Sequence, residues 1–447
     1  MNELFWARST MALSLGFHIV FASISMVLPF YMAWAHYRHL KTGDETFLQL
    51  TKAWSRGTAV LFATGAVSGT ALSFQLGLLW PGFMQHAGPI IGMPFSLEGA
   101  AFFLEAIFLG LFLYGWNKLS PRRHFQAGLA VGLCGLASGI LVVAANGFMN
   151  APSGFDWVDG AATNIDPWAA MFNRAWGLQA LHMVIAAFQA TGCAVAGVHA
   201  YGLLRSTRTD SPSRLASATL HRAALRIVLP LTVGASLLQP LVGDLSAKAI
   251  AKRQPEKLAA LEAHYETEKG AGLWLGGIVD ESTQTVHFGV KVPGALSFLA
   301  HGDANSTVQG LLDFPKNERP PVAIVHSAFQ IMVGIGSWLA ALGMLYLVAR
   351  RWKPAWIESR WFLTTLVAST PLGFLALEAG WVVTEVGRQP WVIYRVIRTA
   401  ESVTPVPGQV FTFFSILTVY AILGSLSFLA LGRIYQIETR GTGGAPA

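Results

Sequence analysis

Leu377-Glu378-Ala379-Gly380-Trp381-Val382-Val383-Thr384-Glu385-Val386-Gly387-Arg388-Gln389-Pro390-Trp391 closes a strongly apolar run that begins at Phe362. The run is long enough to cross a bilayer, yet it carries two carboxylates seven residues apart, two tryptophans and an arginine. Seven residues are two helical turns, about 10.5 Å, so Glu378 and Glu385 share one helix face with Trp381 between them. Carboxylates are costly in hydrocarbon and mark function there, unless they merely pair with basic residues at a helix end. Spacing alone leaves both readings open.

The rest of the chain has the same character. Of 447 residues, 53% are hydrophobic and 12% charged, with a mean hydropathy of +0.48. No water-soluble domain of this size needs such a balance, and the composition predicts an all-α polytopic membrane protein. The net charge of +7 sits in short basic clusters between apolar runs, which reads as membrane orientation and not as a nucleic-acid surface. Cys134 and Cys193 fall inside apolar runs as packed thiols, and no CxxC motif exists. The apolar stretch Met11 to Trp34 is too long for a signal-peptide core, and no clear small-residue cleavage site follows it, so it is expected to remain as the first span.

About twenty apolar residues cross the hydrocarbon, which predicts nine spans near 11–35, 57–79, 94–116, 125–148, 175–204, 223–241, 321–349, 362–385 and 409–434. Helices one to six then occupy 1–241, a long hydrophilic loop 242–320, helices seven to nine 321–434, and a tail 435–447, of which Gly441 to Ala447 reads as disordered. Loops after odd-numbered spans hold Arg38, Lys41, Lys52 and Arg56, then Lys118, Arg122 and Arg123, then Arg205, Arg208, Arg214, Arg222 and Arg226, then Arg350, Arg351, Lys353 and Arg360. The short segments on the opposite side hold only Arg8, Arg174, Arg388, Arg395 and Arg398. By the positive-inside rule the N-terminus is outside, the C-terminus cytoplasmic and the long loop on the outer face. Within that loop, 256–268 has helical periodicity and Thr285 to Lys291 suits a short strand.

Several polar residues interrupt the spans. His18 stands in an apolar helix, where either a hydrogen bond to a neighbouring helix or a heme iron would satisfy it. Glu98 and Glu105 repeat the two-turn carboxylate spacing in span three. His182 in span five is a second apolar-helix histidine. Met332 in span seven is ordinary core filler unless a histidine at the same depth pairs with it as a heme ligand. The predicted topology puts His18, Glu98, His182, Met332 and Glu385, from five helices, in the outer half. Independent core residues have no reason to agree in depth, and this favours a redox site.

These segments resemble subunit I of the cytochrome bd-type quinol oxidases along about Phe5 to Arg433. The resemblance rests on the His18 segment, Phe74-Gln75-Leu76-Gly77, Leu97-Glu98-Gly99 with Phe103-Leu104-Glu105, and Ala145-Asn146-Gly147-Phe148-Met149. It continues through the His182 segment, Lys257 to Glu262, Phe329 to Val333, and Gly387-Arg388-Gln389-Pro390-Trp391 after Glu378-Ala379-Gly380-Trp381. It implies that His182 and Met332 hold a low-spin heme b, that Glu385, with Glu378 nearby, serves a high-spin heme b, and that His18 and Glu98 flank a heme d or a further heme b in its place. Glu105 would lie on a proton path, Trp381 and Arg388 at the reaction centre, and Lys257 and Glu262 at quinol in the outer loop. At Gln330 the chain departs from the many relatives that carry arginine there, which removes a charge partner for a heme propionate. The loop is the family's short form, which includes the cyanide-insensitive oxidases.

The resemblance thus implies a terminal oxidase of the bacterial cytoplasmic (inner) membrane. It would oxidise ubiquinol or menaquinol at the outer face and reduce O2 to water with cytoplasmic protons. Subunit II, small single-span subunits and membrane lipid would be its partners, with no nucleic acid. Two other classes fit parts of the pattern: a proton-coupled membrane transporter with the carboxylate pairs as relay, and an electron-receiving heme subunit without oxygen chemistry.

Overall fold

The spans arise because long apolar runs can enter hydrocarbon only with every backbone N–H and C=O bonded internally, which a helix achieves within one segment. The computed structural model describes residues 3–206 and 212–440. Among these, nine helices are long and apolar enough to cross a membrane: Glu3–Thr42, Glu45–Leu79, Pro81–Tyr114, Pro121–Asn150, Trp176–Ser206, Arg214–Arg253, Val322–Trp352, Arg360–Val386 and Gln409–Ile437. Arg208 and the segment 441–447 lie outside the described residues.

Most helices outrun their apolar stretches. The first begins at Glu3 and the sixth continues to Arg253, twelve residues past its predicted end, carrying polar turns such as Asp244–Lys248, an i,i+4 ion pair at 2.6 Å. The ninth helix runs to Arg440, so 435–440 of the predicted tail continue it.

Span eight is two helices, Arg360–Ala368 and Leu372–Val386, broken before Pro371, which has no N–H to continue the ladder. The break is held close to span five. A Cβ on Gly373 would sit 2.5 Å from Ala190 Cα, and one on Gly197 would overlap the Thr370 hydroxyl, so glycine is required at both. Span eight lies between spans five and seven, span one packs on spans two, four and nine, and spans three and four pair along their length. Phe74, Phe103, Tyr114, Phe411 and Phe428 project outward, as on a surface solvated by lipid.

The long loop folds as short antiparallel pairs and two small helices, Pro255–Leu261 and Ala295–His301. Leu273–Leu275 pairs with Val290–Val292, and Ile278–Asp280 with Thr285–His287 nested between them, so the predicted strand at 285–291 is split between two antiparallel pairs. The helix expected over 256–268 stops at Leu261. Ala263 takes the left-handed conformation (φ 47°), and His264 N–H closes the end on Ala259 C=O at 2.8 Å.

Candidate functional site

The end of span eight, the end of span four and the first loop helix meet in one polar cluster. Span eight stops at Val386, where Gly387 N–H bonds Val383 C=O at 3.1 Å. Arg388 then returns along the last turn and donates to Glu385 Oε2 at 2.6 Å, while Glu385 Oε1 accepts from Asn146 Nδ2. Asn150, one turn after Asn146, donates to Asn146 Oδ1 at 3.1 Å and accepts from Lys257 Nζ at 2.6 Å. Lys257 also reaches Thr384 C=O at 3.3 Å. Lys257 is 2% exposed and Arg388 3%. Burial first, then the neighbouring Arg388 charge, push the Lys257 ammonium down to about 7, against the opposing pull of Glu385 and Glu256. A cavity opens here, lined by Asn150, Arg253, Gln254, Lys257 and Thr384 among others.

Three of the sequence-selected residues, Glu385, Arg388 and Lys257, are thus neighbours. Glu262 is not joined to them among the described residues. It caps the loop helix, is 4% exposed, and its Oε2 has no hydrogen-bond partner among the described residues. Burial raises its carboxyl to about 8.

The two proposed low-spin ligands each face a glycine. A Cβ on Gly243 would lie 3.6 Å from His182 Cε1, and one on Gly380 would lie 3.1 Å from Met332 Sδ. Gln239 Nε2 stands 3.1 Å from His182 Nε2 and 3.4 Å from His182 C=O. Trp381, half-buried, follows Gly380 directly.

His18 Nδ1 lies 3.0 Å from Ser68 Oγ, which itself donates to Gly65 C=O at 3.1 Å. With the Ser68 hydroxyl proton on Gly65 C=O, the tautomer that satisfies both contacts donates from His18 Nδ1–H and carries its lone pair on Nε2. A Cβ on Gly69 would come within 2.9 Å of the same ring. Glu378 faces span one at Gly16, where a Cβ would be 3.4 Å from Oε2, and its buried Oε1 has no partner among the described residues. Glu98 accepts from Ser138 at 2.9 Å, and Glu105, 4% exposed, lies against Gly135 one turn along the same helix.

These features fit heme. Imidazole, thioether and carboxylate donors are iron ligands, and glycines beside His18, His182 and Met332 leave room that a Cβ would fill. Arg388 Nε and Nη1 and Arg253 Nη1 are buried without partners among the described residues, donors suited to propionate carboxylates. Ser68, Ser138, Asn150, Gln239 and Gln254 were not singled out from the sequence. Only the i,i+4 pair Asn146 and Asn150 at an apolar helix end carried a readable signal.

The family model of the cytochrome bd terminal oxidase subunit I matches residues 6–438. A Bacillus subtilis (strain 168) protein, provisionally named a cytochrome bd menaquinol oxidase subunit I, is 37% identical over 432 residues, covering 95% of each chain. A cytochrome bd ubiquinol oxidase subunit 1 of the same organism is 31% identical over 442 residues, covering 95% of this chain and 92% of the relative. The solved structure of the bd oxidase from Geobacillus thermodenitrificans superposes with a TM-score of 0.90 at 36% identity, covering 97% of this chain and 98% of that one.

Proposed function

The chain belongs to the cytochrome bd terminal oxidase subunit I family, and from that premise we propose how its residues divide the work. As a member it is the heme-containing subunit of a quinol oxidase in the bacterial inner membrane, acting with a partner subunit on quinol and O2.

In our reading His182 and Met332 hold a low-spin heme b, and Glu385, near Glu378, holds a high-spin heme b. His18 and Glu98 flank a heme d or a further heme b. Heme, when bound, takes up electrons from quinol and delivers them to dioxygen. Two quinols and one O2 give two quinones and two waters, so four protons leave quinol and four are consumed. Lys257 and Glu262 receive quinol protons at the loop. Glu105 passes protons to Glu98 from the cytoplasmic side, and Arg388 fixes the Glu385 carboxylate beside Trp381. The alternation of basic loops supports an N-terminus outside and the loop on the outer face, so proton release and uptake occur on opposite sides and contribute to proton motive force. The homologous second subunit and small single-span subunits complete the assembly, with ubiquinol or menaquinol as donor.

The single observation behind this reading is the Lys257, Asn150, Glu385 and Arg388 cluster, where the loop touches two spans. An absorbance spectrum of the purified oxidase, with pigment extraction, tests it. Low-spin and high-spin heme together are expected. No heme bands, or low-spin heme alone, would overturn it.

A further inference from the structure

The long loop grips span seven at two places, two helical turns apart. At the first turn of the span, where backbone N–H groups lack helical partners, Ala323 N–H donates to Glu281 Oε1 at 2.7 Å. Seven residues on, Gln330 binds a single turn of the loop twice. Its Oε1 accepts from Gly276 N–H at 2.9 Å and its Nε2 donates to Trp274 C=O at 3.0 Å. One partner is a donor and the other an acceptor, which fixes the orientation of the amide.

The turn is shaped to present both groups. Gly276 and Gly277 take φ of 66° and 107°, a region side chains avoid, and a Cβ on Gly277 would lie 2.4 Å from Val286 Cγ1. The strands on either side belong to the two nested antiparallel pairs, and Val279 shares an apolar cluster with Val322, Val325 and Ala328 of span seven.

We propose that Gln330 is a positioning residue for quinol oxidation, strapping the Trp274–Gly276 turn of the loop to span seven two residues before Met332. Two residues are about 200° around a helix. The loop therefore holds one side of this turn while Met332 meets span eight at Gly380 on another. The inference rests on the reading that Met332 is a heme ligand and that the loop handles quinol. An arginine at 330 offers donors only and would leave Gly276 N–H facing a cation, so it cannot make both bonds.

The test compares Gln330→Leu, Gln330→Arg and Gln330→Glu in the assembled oxidase. It follows tryptic cleavage of the loop, KM for quinol, oxygen consumption with an artificial electron donor, and the low-spin heme band. Losing two hydrogen bonds predicts a KM about tenfold higher and faster cleavage in the Leu and Arg variants, with the artificial-donor rate and the heme band retained. Gln330→Glu keeps the acceptor for Gly276 and should fall between them and the parent. Parental KM or parental cleavage in both the Leu and Arg variants overturns the strap, as does equal loss with both donors. Met332→Leu, measured alongside, separates the premise: a retained low-spin band there sinks the ligand assignment, not the strap.

Discussion

Arg388 donates to Glu385 at 2.6 Å from beyond the end of span eight, with 1% of the arginine side chain exposed and 30% of the glutamate. A cation so placed orients the carboxylate. Removing it as Arg388→Leu leaves a largely buried carboxylate with Asn146 as its remaining side-chain partner among the described residues, a change worth about 3 kcal/mol for pairs of this kind. Arg388→Leu is expected to lose high-spin heme on pigment extraction, and Arg388→Lys, a point charge without the fork, to recover only part of it. Full heme content in both would remove Arg388 from the site.

His182 and Met332 should behave as one unit. If both hold the same heme, changing either would remove one of its ligands, so His182→Ala and Met332→Leu should each abolish the low-spin heme b signal or convert it to high spin. A normal low-spin spectrum in Met332→Leu would return that methionine to core packing.

Quinol oxidation should rise with pH from below 7 to above 8. Burial lowers Lys257 from 10.5 to about 7 and raises Glu262 from 4.5 to about 8. Each group therefore gains proton-accepting capacity as pH rises through its own value. Glu262→Gln should flatten the upper part of the kcat/KM profile, and Glu262→Ala should impair quinol oxidation while oxygen reduction with an artificial donor continues. An unchanged profile in Glu262→Gln would exclude this carboxyl as a proton acceptor.

Glu105 lies two turns from Glu98, buried against Gly135, with Oε1 unpartnered among the described residues. Glu105→Leu should keep quinol binding and low-spin heme but slow oxygen reduction severely, and Glu105→Asp should keep part of the rate. Near-parental turnover and membrane-potential generation by Glu105→Leu in proteoliposomes would place the proton path elsewhere.

Much of this protein is written in its local pattern. Among the described residues, nine spanning helices follow from nine apolar runs, because a bilayer accepts only segments that satisfy their own backbone. The histidines, methionine and carboxylates could be selected because each is out of place in such a run. Helix ends were less legible. Span six runs on to Arg253 and the loop helix stops at Leu261 through contacts and dihedrals that hydropathy does not encode.

The membrane class, the spans and the candidate ligands follow from local composition, since burial in lipid is decided by each segment's own residues. Which of those residues meet follows from the packing of the helices. Lys257 turns to Asn150 and Thr384 while Glu262 stays apart, Gly380 makes room for Met332, and Gln330 binds the loop backbone. The difference is one of range: hydrogen bonds and close packing act over a few ångströms between residues far apart in the chain, and only the packing of the helices sets those distances.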